Sequence, residues 1–98
     1  MRRNEVVARL KEAAPAIRAL GVAGLYLYGS HARNAANADS DIDIFIDKDP
    51  SRKFGFDEYM EIYLKLRETL GAEVDYSTRE GLVEFFRPDI EREAIRVF

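Results

Sequence analysis

The stretch that decides the fold is Leu25–Ile46, LYLYGSHARNAANADSDIDIFI. It begins with an apolar run that ends at Gly29-Ser30, and it closes with a second apolar run that carries Asp41 and Asp43. Side chains alternate between the two faces of a β-strand. A strand over the second run would therefore direct both aspartates to one face and the isoleucines to the other, in a core. These isoleucines are Ile42, Ile44 and Ile46.

The two aspartates and the glycine–serine turn carry the chemistry of this stretch. Two carboxylates on one face repel each other unless a cation lies between them. Mg2+ takes oxygen ligands and commonly binds through one or two carboxylates together with substrate phosphates. Gly29-Ser30 stands where a helix is predicted to begin, and free backbone N–H groups there favour an anion. A phosphate-binding turn close to a metal-binding pair predicts a nucleotide site.

Two motifs carry a resemblance to a known family. The sequence Gly29-Ser30-His31-Ala32-Arg33, followed by Ser40-Asp41-Ile42-Asp43-Ile44, resembles the signature of the polymerase-β-like nucleotidyltransferases, most closely the minimal nucleotidyltransferases (MNT). The resemblance covers nearly the whole chain, because Asp75 stands where the family carries its third carboxylate. Asn34 stands where such proteins often have glycine, and asparagine tolerates a left-handed conformation.

The hydrophobic pattern predicts three strands interleaved with helices. With the resemblance, it implies an α+β fold in which one three-stranded mixed sheet is flanked by helices. The acids should lie on the open face of the sheet, and the helix over 56–70 should cover the other face. Pro15 should end or kink the first helix. The strands are predicted at Val22–Tyr28, Asp41–Ile46 and Glu73–Ser77, and the remaining helices over residues 3–13, 30–34, 79–86 and, as a last helix or turn, 89–97. Gly71 should end the helix over 56–70, Thr78 or Ser77 should cap the helix over 79–86, and residues 35–40 should form a loop.

Length and composition set further bounds. Ninety-eight residues predict one domain, residues 1–98, with no room for a second domain that holds an acceptor. The net charge of −3 argues against general nucleic-acid binding. The chain has no cysteine, no apolar run of membrane-spanning length and no signal-peptide pattern at its N-terminus, so we expect a cytoplasmic protein without a membrane partner.

The resemblance implies a role for each candidate site residue. Asp41 and Asp43 would hold two Mg2+ ions, or Mn2+, and Asp75 would bind the metal beside the attacking hydroxyl and help to remove its proton. Gly29 and Ser30 would bind the phosphates of the nucleotide, and ATP is favoured because the family usually uses it.

Two further residues near the turn are assigned less directly. Arg33 is a nucleotide-binding candidate, with a surface arginine or a partner for a loop carboxylate as the alternatives. His31, the only histidine, is expected to be solvated, with a phosphate contact at the helix N-terminus as the alternative.

The resemblance also implies a partner. Small MNT proteins are typically paired with HEPN-domain toxins, so this chain would be the antitoxin that adds AMP to a tyrosine of a HEPN toxin. Because one small domain cannot build an acceptor pocket alone, a partner or a second copy would complete it, in a homo- or hetero-oligomer. Two alternatives remain open. One is an antitoxin that neutralises its partner by binding without catalysis, and the other is a transferase that acts on a small hydroxylated molecule.

Overall fold

The computed structural model describes residues 1–37 and 39–98, which form an α+β fold around one mixed sheet. A 3-10 turn spans Arg79–Gly81. The helices are α1 (Arg3–Ala19), α2 (Gly29–Ala32), α3 (Phe56–Leu70) and α4 (Arg87–Glu93). The strands are β1 (Val22–Tyr28), β2 (Ile42–Lys48), β3 (Val74–Thr78) and β4 (Ile95–Arg96).

The strand order is β3-β2-β1-β4. β1 pairs antiparallel with both β2 and β4, whereas β2 and β3 are parallel. Parallel neighbours require a crossover connection, and α3 supplies it. The register places Asp43 of β2 opposite Tyr28 of β1 on one side and opposite Asp75 of β3 on the other. Strand pairing thus brings together two carboxylates that lie far apart in the sequence.

One face of the sheet packs against α1 and α3 in a single hydrophobic core. Ile42 is 1% exposed, and Ile44 and Ile46 are fully buried, so the predicted face of the second strand is confirmed. The core is built from α1, the sheet and α3, and includes Val6, Leu10, Ile17, Leu25, Leu27, Ile44, Ile62, Leu66 and Leu70.

The opposite face carries the acids but is not open along its whole length. Phe45 lies on this face and is fully buried, because the ring of Tyr26 stacks on it at 4.7 Å between centroids. The guanidinium of Arg79 lies 4.9 Å from the centroid of each of these two rings. The aromatic pair closes one end of this face and leaves the end near Asp43 and Asp75 for the candidate site.

The prediction of three strands is wrong, because residues 95–96 form a fourth. Tyr26 and Leu27 of β1 pair with Arg96 and Ile95, and Val97 N–H donates to the Leu25 carbonyl at 2.8 Å. The apolar spacing over 89–97 predicts a last helix or turn, but α4 ends at Glu93. The free edge of β1 supplies hydrogen-bond partners that a local pattern cannot reveal.

Pro15 does not end the first helix, which continues through it to Ala19. The side chain of Pro15 is exposed. Because proline has no backbone N–H, the helix interior lacks one hydrogen bond, which lowers its stability by about 3 kcal/mol. Residues on both sides of it, Leu10, Ala14 and Ile17, are buried in the core. Their packing offsets the missing hydrogen bond.

Two shorter predictions are partly confirmed. Of the two predicted caps, the structure has Thr78, whose hydroxyl accepts from Gly81 N–H at 3.1 Å, but the capped segment is a 3-10 turn that ends at Gly81 rather than a helix that ends at Phe86. The predicted loop over 35–40 has no helix or strand where the structure describes it, and Ala38 lies outside the described residues. No helix in the described parts of the chain is long and apolar enough to cross a membrane.

Candidate active site

Asp43 and Asp75 form the centre of the site. They occupy paired positions on the parallel strands β2 and β3, which lie about 4.7–4.9 Å apart in a sheet. Side chains at paired positions project from the same face. Asp43 is half-buried and Asp75 is exposed, so one carboxylate lies at the floor of the site and the other at its edge.

The environment of Asp43 disfavours its charged form. Burial is the largest cause, followed by the negative charges of Asp75 and Asp41 and a hydrogen bond with Asp75, and together they raise the pKa of Asp43 to about 6. Arg33 acts in the opposite direction. A bound cation stabilises the charged form of a carboxylate in such a cluster, because it offsets the repulsion from the neighbouring carboxylates.

Asp41 lies immediately before β2 rather than inside it, and its side chain is exposed. It is close enough for its charge to raise the pKa of Asp43. Within residues 1–37 and 39–98, however, no three acidic or histidine side chains converge as a ready metal-ligand group. The carboxylates of Asp43 and Asp75 are donors of the kind that suit Mg2+, which commonly completes its shell with substrate phosphates and water.

Gly29 follows β1 directly and lies against Asp43. Its φ is +70°, in the left-handed region, and a Cβ placed there would stand 2.1 Å from Asp43 Oδ2. Any side chain at this position would collide with the carboxylate, so only glycine lets the backbone pass. Its N–H donates to Glu93 Oε1 at 3.1 Å.

Ser30 and Arg33 belong to the same short segment. Ser30 is partly buried, and its hydroxyl makes no hydrogen bond to the described part of the chain. Helix α2 has only four residues, so its dipole is small and any phosphate contact would depend on individual donors. Arg33 Nη1 pairs with Glu93 Oε2 at 3.0 Å. Arg33 therefore pairs with a carboxylate, as one of its alternatives predicts, but this carboxylate belongs to α4 and not to the loop.

His31 is not solvated, contrary to the prediction. It is 2% exposed, and burial lowers its pKa. The His31 side chain therefore packs from α2 into the protein interior and is not a surface group.

A cavity of about 500 Å³ lies beside Asp75. Its polar side is formed by carboxylates and Ser77, and its apolar side by residues between β3 and the end of α4. This cavity is not predictable from the sequence pattern, which favours a helix over 79–86, whereas the helical turn ends at Gly81. The lining residues are Tyr28, Gly29, Asp75, Ser77, Gly81, Leu82, Val83, Phe86, Asp89, Ile90 and Glu93.

Two residues of the site were not singled out from the sequence. Tyr28 ends β1 beside both acids, and burial together with the charges of Asp75, Asp43 and Glu93 raises its pKa to about 12. Its hydroxyl therefore stays protonated at neutral pH. Arg79 contacts Asp47 through two hydrogen bonds, of 2.7 and 2.9 Å, and Glu91 through another of 2.5 Å. It thus joins β2, β3 and α4 at the border of the site.

The model of the nucleotidyltransferase domain family matches residues 5–97, nearly the whole chain. The chain belongs to this family. A protein of Methanocaldococcus jannaschii named "Putative protein adenylyltransferase" is 34% identical to this nucleotidyltransferase over 77 residues, which are 78% of this chain and 77% of that protein. The sequence resemblance to nucleotidyltransferases is thereby confirmed.

Solved structures extend the likeness to the minimal nucleotidyltransferases. A structure described as a "putative minimal nucleotidyltransferase" superposes with a TM-score of 0.81 at 28% identity, over 97% of this chain and 95% of that one. A tri-AMPylated HEPN toxin of Shewanella oneidensis in complex with its MNT antitoxin gives a TM-score of 0.57 at 18% identity, over 98% of this chain and 68% of that one. The second likeness concerns the fold alone.

Proposed function

We propose that this nucleotidyltransferase transfers AMP from ATP to a tyrosine hydroxyl of a HEPN-domain toxin and acts as its antitoxin. The observation that carries the proposal is the paired position of Asp43 and Asp75 beside Gly29. This arrangement brings carboxylates for a cation and a backbone turn for phosphates to one end of a sheet. The name of the M. jannaschii relative and the description of the S. oneidensis complex support the nucleotide and the partner.

In the transfer, the acceptor hydroxyl oxygen attacks the α-phosphorus of ATP. A new oxygen–phosphorus bond forms, the bond to the β-phosphate oxygen breaks, and pyrophosphate leaves. Asp75, at the exposed edge of the pair, takes the hydroxyl proton. Gly29 lets the backbone approach the phosphates closely, and Ser30 contributes a hydroxyl with no partner in the described chain. Arg33 adds positive charge beside them.

A divalent cation fits the donors of this site. Asp43 and Asp75 would hold it, with Asp41 at the rim, and when bound it would neutralise charge on the phosphates and on the leaving group. Burial and the neighbouring carboxylates raise the pKa of Asp43 to about 6, and a bound cation would oppose that shift by favouring the charged form.

The acceptor would enter the cavity beside Asp75. The apolar wall suits an aromatic ring, and Asp75 and Ser77 stand at its polar side. Phe85 and Phe86 next to it are 83% and 54% exposed, and Val83 is 63% exposed. Exposed apolar groups that border a cavity favour an acceptor carried on a protein surface over a small hydrophilic molecule.

The test is transfer of label from ATP to the partner protein in the presence of Mg2+. We expect wild type to label the toxin and Asp75→Asn to lose about 10²–10⁴-fold in rate, because a general base acts mainly in the transition state. Binding of ATP should persist in this variant, since Asp43 remains. Mutation of Glu61, an exposed acid of α3, to Gln serves as the control and should transfer label normally.

Two outcomes would replace the proposal. If wild type never labels the toxin and Asp75→Asn still neutralises it in cells, the chain is an antitoxin that works by binding. If label passes to small hydroxylated molecules but not to the toxin, the acceptor class is wrong while the nucleotidyl transfer stands.

A further inference from the structure

Glu93 links the last helix to the Gly29 turn. It is the final residue of α4, and each of its carboxylate oxygens accepts one hydrogen bond. Oε1 accepts from the backbone N–H of Gly29 at 3.1 Å, and Oε2 accepts from Arg33 Nη1 at 3.0 Å. The sequence separations are 64 and 60 residues. The Glu93 side chain therefore contacts Gly29, the first residue of α2, and Arg33, the residue that directly follows its last.

Helix α2 needs such a link because it is a single turn. Four residues cannot form a stable helix by their own hydrogen bonds, since nucleation fixes several dihedral angles for one bond. The left-handed φ of Gly29 is an additional constraint on this turn. A carboxylate that accepts from a backbone N–H at one end and from a guanidinium at the other restrains both ends through two charge-assisted hydrogen bonds, both at the exposed border of the site.

The position of Gly29 in turn matters for Asp43. A Cβ on Gly29 would stand 2.1 Å from Asp43 Oδ2, so the backbone of the turn lies directly against the carboxylate. A small displacement of the turn would either press on Asp43 or leave a gap beside it. The backbone contact of Glu93 therefore acts on the residue that lies against the acid, next to Tyr28, which pairs with Asp43 in the sheet.

We propose that Glu93 is a positioning residue, which holds the Gly29 turn against Asp43 and orients Arg33 toward the nucleotide. This inference rests on the proposed function, since it assigns ATP to that turn. Arg33 neutralises the negative charge that Glu93 brings close to the phosphates. Glu93 also lines the cavity beside Asp75, so the same contact ties the acceptor side of the site to the phosphate side.

Calorimetry with ATP and Mg2+ on three variants tests this role. Glu93→Ala removes both hydrogen bonds and should weaken ATP binding by roughly 10-fold or more. Glu93→Gln keeps an oxygen that accepts from Gly29 but loses the ion pair, so its affinity should fall between those of wild type and Glu93→Ala. Arg92→Ala is the control. Arg92 is adjacent on α4, is exposed and pairs with Asp89 instead, so we expect unchanged affinity.

Amide hydrogen exchange gives a readout that needs no nucleotide. In Glu93→Ala the Gly29 amide should exchange faster than in wild type, whereas the amide of the core residue Ile44 should keep its protection. Faster exchange throughout the protein would mean a loss of stability and would overturn the positioning role.

The remaining outcomes are also decisive. Equal ATP affinity in wild type and Glu93→Ala would overturn the inference. Tighter ATP binding by Glu93→Ala would also overturn it, because Glu93 would then compete with the phosphates for Gly29 N–H and Arg33. Either result would leave the proposed function intact, because wild type still binds ATP. Failure of wild type itself to bind ATP with Mg2+ would overturn the proposed function, and this inference with it.

Discussion

Gly29 sets the distance between the chain and the central carboxylate. Changing it to alanine adds a Cβ 2.1 Å from Asp43 Oδ2 at a φ of +70°. We expect Gly29→Ala to lose ATP affinity by at least about 10-fold and to lose about 1–3 kcal/mol of stability from backbone strain and from displacement of the acid. Calorimetry and urea unfolding measure the two effects.

Gly71 provides the matched control for this substitution. It ends α3 with a φ of +62°, but a Cβ there meets nothing within 4 Å. Gly71→Ala should therefore lose stability from strain alone and keep its affinity for ATP. Equal losses of affinity in the two variants would show that the contact with Asp43 is not what makes Gly29 necessary.

Asp43 should give the protein a pH-dependent stability. Its pKa in the folded state is about 6, above the ordinary value of 3.8. Between these values the folded protein binds more protons than the unfolded chain, so the stability from this group is present below about pH 4 and is lost as the pH rises through about 6. At about pH 7.5, without divalent cations, Asp43→Asn should be more stable than wild type by about 1 kcal/mol, a figure that allows for solvent screening.

Urea unfolding at about pH 4 and about pH 7.5, in the presence of a chelator, measures this effect. The two proteins should be nearly equal in stability at the lower pH. Replacing the exposed Glu61 of α3 by Gln should produce no gain at either pH. A gain for Asp43→Asn that is the same at both values would show that titration of Asp43 is not its cause.

At the scale of elements, the sequence predicted the parts whose signals are local. The bounds of β1 and α3 are those predicted, because periodic apolar residues fill each element and glycine follows each one directly. Gly71, with its left-handed φ, ends α3 as expected. The resemblance supplied Asp75 as a third carboxylate, but its pairing with Asp43 was not predicted, since no local signal sets the order of strands.

The missed elements are those whose stability depends on distant contacts. β4 has two residues, and no periodicity can identify a strand that short. The continuation of α1 through Pro15 depends on burial against the sheet, which outweighs a local penalty. Glu93 and Arg79 acquire their roles from partners 12 to 64 residues away. A side chain with such partners looks like any surface charge in the sequence.

At the scale of the whole molecule, charge should make ATP binding depend on a divalent cation. The chain carries a net charge of −3, and five aspartates lie between Asp39 and Asp49. A nucleoside triphosphate is itself strongly negative, so this region repels it unless a cation intervenes. We expect measurable affinity with Mg2+ or Mn2+ and a loss of at least about 100-fold with a chelator, as measured by calorimetry.

The double variant Asp41→Asn/Asp43→Asn tests whether these two carboxylates bind the cation or only repel ATP through their charge. It removes two negative charges, which would improve ATP binding if repulsion were the whole effect. If the two carboxylates hold the cation, the variant should instead bind ATP weakly whether or not Mg2+ is present. Affinity equal to that of wild type in the presence of Mg2+ would contradict the assignment of the site.

The pairing of β1 with β4 has a consequence for how the chain folds as it is synthesised. β1 is complete at Tyr28, but its second neighbour begins only at Ile95. Until the ribosome has made residues 95–97, this edge of β1 has no partner, and an unpaired strand edge invites association with other chains. The Gly29 turn likewise lacks its hydrogen bond to Glu93 until residue 93 has been synthesised. A nascent chain would therefore complete this sheet edge and fix the Gly29 turn together, and only after residues 93–97 have been synthesised.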